Sequence, residues 1–206
     1  MRRFFLSLKQ HMIPDRRIAL RPGVDILVLL LCISFHPLNA SAQQAHPTES
    51  QVKAAYLYNF GKFVRWQAPP SDSASFDICV LGKNPFGSAL ASTVLGEKLD
   101  GKDIHVRNIS NLPDAARCRI LFISSSEESR LRAIQAMAKQ SNFLTVSDMP
   151  GFVQRGGMIE LVTHEDRIRF QVNVGAISDA GLSVSSELLK VAVKVIGANQ
   201  AREIDK

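Results

Sequence analysis

The chain has 206 residues, of which 46% are hydrophobic and 7% aromatic, so it can bury the core of a folded domain and wholesale disorder is excluded. Its three cysteines are too few for a disulfide-framework miniprotein or a four-cysteine zinc site. The formal net charge of +6 raises the question of nucleic-acid binding, which depends on where the basic residues lie.

The first 42 residues are typical of an export signal, with six basic and two acidic side chains. The apolar run over 26–35 is shorter than the roughly 20 residues needed to cross a bilayer. Ala40-Ser41-Ala42 then has the small-residue pattern of a signal-peptidase site. We therefore predict a cleaved signal peptide over residues 1–42 and a flexible lead-in over 43–49. The alternative is an uncleaved membrane anchor.

Cleavage of the predicted signal peptide changes the net charge and the number of cysteines. Removing residues 1–42 leaves 19 basic and 17 acidic side chains, a net charge of about +2. These basic residues are scattered, so we do not expect nucleic acid as a partner. Two cysteines remain, Cys79 and Cys118, and thiols in an oxidising compartment usually pair. We predict a disulfide between them, the alternative being two buried free thiols that pack as small hydrophobic residues.

Helical and strand patterns alternate from the start of the mature chain. Thr48 and Gln51 have capping-box spacing and predict the start of a helix whose apolar residues recur at helical intervals. Phe76–Leu81 predicts a buried strand. A second helix is predicted from Asn84, as N-cap, through about residue 95, with proline at its first position. Ile104–Ile109 alternates as a strand does.

The same alternation continues through the middle of the chain. Arg119–Ile123 is a short apolar run suited to a central strand. Serines at positions 124 and 125 cap a third predicted helix, which runs through about Lys139. Phe143–Val146 predicts the next strand. Strands that alternate with helices in this way build a parallel sheet with helices on both faces.

The pattern then changes to an antiparallel hairpin formed by Met158–Val162 and Arg167–Asn173, followed by a last predicted helix over 185–196. We therefore predict an α/β fold with one three-layer domain over residues 50–206. It has a mainly parallel central sheet, helices on both faces and a late antiparallel hairpin.

The chain shows no catalytic or cofactor motif. The loop at Gly82–Ser88 lacks the lysine that a phosphate-binding loop places before its serine or threonine. The serines at 124–126 lack the glycine-flanked nucleophile elbow. His46, His105 and His164 are too widely separated to predict a metal site. We expect no catalytic residue, no cofactor and no metal, and hence a binding or regulatory protein and not an enzyme.

Several ordered stretches carry a family resemblance. They are Gln51–Phe60, Ile78–Gly82, Cys118–Ser124, Leu144–Asp148 with Gly156–Ile159, Arg169–Asn173 and Leu182–Ala192. Together they resemble the YfiR family of periplasmic repressors. The resemblance implies an exported α/β domain, often dimeric, whose cysteine pair matches Cys79 and Cys118. A second pair that some relatives carry near residues 146–155 is absent from this sequence.

The resemblance also implies a function. A YfiR-like repressor binds the periplasmic sensor domain of an inner-membrane diguanylate cyclase of the YfiN type and holds it inactive. An outer-membrane lipoprotein of the YfiB type sequesters the repressor, and the freed cyclase makes cyclic di-GMP, which promotes biofilm formation. The competing hypothesis is a periplasmic ligand-binding or sensor subunit that works with a transporter or a sensor kinase.

The late hairpin and the segment before it are the predicted partner surface, where exposed apolar and charged groups can combine. The candidate residues are Phe152, Met158, Glu160, Ile168 and Arg169. The alternative is that Phe152, Met158 and Ile168 are ordinary core residues.

Overall fold

The computed structural model describes residues 46–66 and 75–197. The signal peptide predicted over 1–42 and the first residues of the lead-in lie outside the described residues. His46, Pro47 and Thr48 are exposed and precede the first helix. Among the described residues, no helix is long and apolar enough to span a membrane.

Ten strands are described, eight of them in one sheet. They are β1 (Val64–Trp66), β2 (Ser75–Leu81), β3 (Lys98–Leu99), β4 (Lys102–Ile109), β5 (Ile120–Ile123), β6 (Leu144–Ser147), β7 (Ile159–His164), β8 (Arg167–Asn173), β9 (Leu182–Val184) and β10 (Lys194–Ile196). The large sheet has the order β10-β8-β7-β6-β5-β2-β4-β3, and β1 pairs with β9 in a second, two-stranded sheet. In the large sheet, only β3–β4 and β7–β8 pair antiparallel.

Five α-helices and two 3-10 helices connect these strands. The α-helices are α1 (Glu49–Phe63), α2 (Ala89–Val94), α3 (Leu131–Ser141), α4 (Val174–Asp179) and α5 (Ser186–Val191). The 3-10 helices are Leu112–Arg117 and Ser125–Arg130. All four residues of β5 and of β6 are buried, as are all but the first of β2. Strands covered on both faces have this pattern, which confirms the predicted α/β fold with a mainly parallel sheet.

Two local predictions are confirmed in detail. The Thr48 hydroxyl accepts a hydrogen bond from the Gln51 backbone N–H, and the Gln51 side chain accepts one from the Thr48 backbone N–H. This reciprocal pair satisfies two donors that the first turn of α1 would otherwise leave free. The predicted hairpin is formed by β7 and β8, which pair from Ile159 opposite Val172 to His164 opposite Arg167.

Two helix predictions are wrong in their bounds. Helix α2 begins at Ala89, because the Asn84 side chain accepts from the Phe86 backbone N–H at 2.8 Å and closes a local turn instead. The last helix ends at Val191, and residues 194–196 form β10 beside β8. Valine is stiff at χ1 and packs well on a sheet, which favours the strand over a longer helix.

The predicted third helix also starts differently. Ser124 caps it through the Ser126 backbone N–H, but the residues that follow, Ser125–Arg130, form a 3-10 helix before α3 begins at Leu131.

Helix α1 packs on the sheet through aromatic rings. The Phe60 and Phe170 ring centroids are 5.2 Å apart at an edge-to-face angle of 74°.

Candidate functional site

Cys79 and Cys118 are joined by a disulfide inside the core. Cys79 lies in β2 and Cys118 lies just before β5, with Cα atoms 5.9 Å apart. Both residues are buried, with exposed fractions of 0% and 2%. Because β2 and β5 are neighbouring strands, the bond holds the centre of the sheet together. Its burial makes it a structural crosslink and removes both sulfurs from the surface.

The five residues predicted to bind a partner do not form one surface. Phe152, Met158 and Glu160 have exposed fractions of only 0%, 2% and 4%, so the prediction that they are exposed is wrong. Ile168 and Arg169 are half-buried. As successive residues of a strand they face opposite sides of the sheet, so a flat partner can contact only one of them directly. Partner binding by these two residues stays a prediction.

The buried Glu160 carboxylate has a structural role. One of its oxygens accepts from the Gly151 backbone N–H at 2.9 Å, and the other accepts from the Val153 backbone N–H at 3.1 Å. Asn173 adds to this by donating from its side chain to the Val153 carbonyl at 3.1 Å. A charged acceptor makes strong hydrogen bonds to backbone N–H groups, so Glu160 fixes the turn between β6 and β7. Phe152 and Met158, the two apolar residues predicted to be exposed with Glu160, are buried because they lie in the hydrophobic core.

A cavity of about 330 Å³ is lined by residues of α1, of the hairpin and of the segment that follows β6. The Lys53 Nζ in its wall lies 2.6 Å from carboxylate oxygens of both Asp148 and Glu49. Burial opposes the charge of this amine, but the hydrogen bonds and charges of Asp148 and Glu49 outweigh it and raise the pKa of Lys53. Lys53 therefore stays an ammonium, and it links α1 to the end of β6.

Sequence analysis missed this cluster, although two signals were present. Glu49 and Lys53 have the i,i+4 spacing of a helical ion pair. Asp148 comes directly after the buried strand β6, at the edge of the sheet where strand ends gather. Neither signal shows that the two segments meet, because they are 95 positions apart in the chain.

The crevice where open α/β sheets commonly bind ligands is closed in this chain. The sheet order reverses at β2, since the chain passes to β4 on one side and returns to β5 on the other. At the carboxyl ends of these strands, the Lys83 backbone N–H donates to the Ser126 hydroxyl at 3.0 Å, and the Ser124 backbone N–H donates to the Leu81 carbonyl at 3.0 Å. Gly82, with φ +86°, lies so close to Ser126 that a side chain would not fit.

A second group of titratable side chains surrounds the buried Asp77, whose Oδ2 lies 2.5 Å from Arg107 Nε. No three of the His, Cys, Asp and Glu residues in 46–66 and 75–197 come together as a metal site. The two closest histidine contacts are His105 Nδ1 to Asp77 Oδ1 at 3.8 Å and His164 Nε2 to Glu165 Oε1 at 3.9 Å. Both histidine side chains are more than half exposed.

Residues 50–193 match the YfiR/HmsC-like family. The chain belongs to this family. The match covers β1 to β9 and, apart from Glu49 at the start of α1, all five described α-helices, and it includes both disulfide cysteines. A YfiR/HmsC-like domain is regulatory and not catalytic, and it acts in the periplasm in cyclic di-GMP signalling.

Two solved structures are similar to this YfiR/HmsC-like chain at low identity. A conserved domain protein from Vibrio cholerae has a TM-score of 0.46 and 14% identity, with 72% of this chain and 60% of that chain covered. An ABC domain from Streptococcus pneumoniae, solved in complex with L-Trp, has a TM-score of 0.43 and 11% identity, with 59% and 55% covered. The YfiR/HmsC-like chain thus spans about 60% of the length of the Vibrio cholerae structure.

Proposed function

We propose that this protein is a non-enzymatic periplasmic regulator that binds the sensor domain of an inner-membrane diguanylate cyclase of the YfiN type and represses cyclic di-GMP synthesis. An outer-membrane lipoprotein of the YfiB type relieves the repression by binding the regulator. The observation that carries this proposal is the family match, which extends over residues 50–193.

The geometry supports a protein that acts by binding. Repression requires only that the regulator bind the inactive state of the cyclase more tightly than the active state, because equal affinity for both states shifts nothing. A rigid domain suits this task. The disulfide and the buried carboxylate of Glu160 hold the central sheet and the turn before β7 in one arrangement.

We restrict the proposed partner surface to one side of the late hairpin, because Phe152, Met158 and Glu160 are buried. Arg169 lies on β8 on the side opposite to Ile168, and the exposed Arg167 lies on the same side as Arg169. We place the cyclase contact on this basic side of the hairpin. Ile168, whose backbone carbonyl accepts from the Tyr56 hydroxyl at 3.0 Å, lies on the side that carries α1.

The test is to delete the gene and measure cellular cyclic di-GMP, which should rise and should return to its original level on complementation. Complementation with Arg169→Glu should fail while the protein accumulates normally. The matched control is Arg132→Glu, a charge reversal at an exposed position of α3, which should complement. A deletion strain with unchanged cyclic di-GMP would remove the repressor proposal.

The competing hypothesis of a ligand-binding subunit finds less support. The hydrogen bond from the Lys83 backbone N–H to the Ser126 hydroxyl closes the crevice between β2 and β5. A transporter or sensor-kinase gene beside this one would favour that hypothesis, whereas a neighbouring gene for a membrane protein with a GGDEF cyclase signature would favour the repressor.

A further inference from the structure

The outermost strand of the sheet leaves apolar side chains uncovered. Strand β10 lies at one end of the strand order and pairs only with β8 among the described strands. Val191, Val193 and Val195, which lead into and form this strand, are 61%, 42% and 36% exposed. The Val193 backbone N–H donates to the Phe170 carbonyl at 3.0 Å, so the pairing with β8 begins before β10 itself.

This exposure is unusual for a strand that pairs parallel. Such strands are normally covered on both faces, and β2, β5 and β6 of this sheet are almost wholly buried. Val193 and Val195 are alternate residues and therefore share one face of the sheet. A single exposed valine needs no explanation, but two on one face of a strand that has no second partner among the described strands form a patch that pairs readily with another chain.

The charges around these valines indicate which kind of partner the patch would bind. Lys190 and Lys194 are exposed, and neither makes an ion pair within residues 46–66 and 75–197. Lysines at a strand edge discourage pairing between identical chains, because each copy brings the same positive charge to the contact. An acidic strand meets no such repulsion.

We propose that β10 is a docking site for an extended segment of a partner protein in which carboxylates alternate with aliphatic residues. The segment adds to the sheet as a further strand beside β10, with main-chain hydrogen bonds to its open edge. Its aliphatic residues cover Val193 and Val195, and its carboxylates pair with Lys190 and Lys194. The proposal does not depend on which protein supplies the segment, so it can fail or succeed separately from the repressor function.

The test uses residues 43–206, the predicted mature chain, labelled with ¹⁵N and titrated with a six-residue peptide that alternates glutamate and valine. Amide shifts should change in a saturable manner at residues 190–197 and along β8. A peptide that alternates lysine and valine should change these shifts at least about tenfold more weakly, because the charge match is lost. Added salt should weaken binding of the acidic peptide, since the charges are exposed.

Three pairs of substitutions separate the effects of charge, apolar contact and fold. Lys190→Glu with Lys194→Glu should reverse the preference between the two peptides, whereas Arg132→Glu with Lys139→Glu, exposed on α3, should leave it unchanged. Val193→Thr with Val195→Thr should weaken binding of the acidic peptide and leave the thermal unfolding midpoint unchanged.

Four results would overturn the proposal. The first is equal binding of both peptides, and the second is shift changes confined to other parts of the molecule. The third is a dimer in analytical ultracentrifugation that the valine substitutions dissociate, because the patch would then belong to a second copy. The same peptide titration on a chain ending at Gly197 shows whether residues 198–206 compete for the edge. Backbone amides of Val193 and Val195 that are protected from hydrogen exchange only when residues 198–206 are present would also contradict the proposal.

Discussion

Lys53 and Asp148 join two elements that the chain separates by 95 positions. The Lys53 Nζ lies 2.6 Å from Asp148 Oδ2, and the side chains are only 12% and 22% exposed. Glu49, one turn before Lys53, supplies a second carboxylate to the same ammonium. The position of α1 relative to the end of β6 therefore depends on an ion pair that is largely shielded from water.

Replacing Lys53 with methionine should lower the free energy of unfolding by about 1–3 kcal/mol, because Asp148 loses a charged hydrogen bond and faces Glu49 without a cation between them. Urea unfolding at pH 7 measures the change. Lys139→Met, on the exposed side of α3, should have little effect.

The contribution of Lys53 should also depend on pH. Its pKa is raised above the ordinary value of 10.5 in the folded state, so the stabilisation is complete below about pH 10.5 and is lost as the pH rises through the folded pKa. Above neutral pH, the difference in unfolding free energy between wild type and Lys53→Met should therefore shrink only in strongly alkaline solution. A difference that shrinks between pH 6 and pH 9 would contradict this assignment.

The disulfide should contribute strongly to stability. It closes a loop of 39 positions, for which chain entropy predicts about 4 kcal/mol, and replacing both Cys79 and Cys118 with alanine should cost about 2–5 kcal/mol. Mass spectrometry of the denatured mature protein should show a gain of two hydrogens on reduction. An unchanged mass would mean that the two thiols are free in the exported protein.

Glu160→Gln should loosen the turn between β6 and β7. An amide offers one oxygen where the carboxylate offers two, so one of the Gly151 and Val153 N–H groups loses its acceptor, at a cost of about 1–3 kcal/mol. Hydrogen exchange at these two amides should accelerate more than exchange in β5. Glu165→Gln, at the exposed tip of the hairpin, is the matched control.

Arg119→Met should leave the protein as stable as before, or up to about 2 kcal/mol more stable, because an apolar side chain avoids the cost of burying a charge. The residue is 7% exposed, its Nη1 has no hydrogen-bond partner within the described residues, and burial lowers the pKa of the guanidinium despite the opposing charge of Asp100. It lies over Trp66, with Cζ 5.6 Å from the ring centroid.

Trp66 is the one tryptophan of the sequence, so its fluorescence reports directly on unfolding of the Arg119 variant. Arg117→Met, at an exposed position two residues earlier, controls for the change of net charge. A loss of more than about 1 kcal/mol in Arg119→Met alone would show that the contact with the indole outweighs the burial of the charge.

The buried strands and the first helix could be predicted because their signals are local. The capping pair of Thr48 and Gln51 acts over three residues, and the apolar run from Phe76 to Leu81 must be buried whatever surrounds it. The pairing of β1 with β9 could not be predicted, since each strand has three residues and Val64 meets Val184 only after the domain between them has folded.

The predictions about the candidate site also divide into those that rest on local signals and those that depend on contacts between distant segments. The sequence by itself determined the family resemblance, the cysteine pair and the α/β alternation, because residue type and spacing carry that information. Only the tertiary structure decided that Glu160 holds a turn, that the side of β8 with Ile168 carries α1, and that three valines beside the last strand stay uncovered. Burial depends on which distant segments pack against a residue, and a strand's edge is open or closed according to whether another segment reaches it.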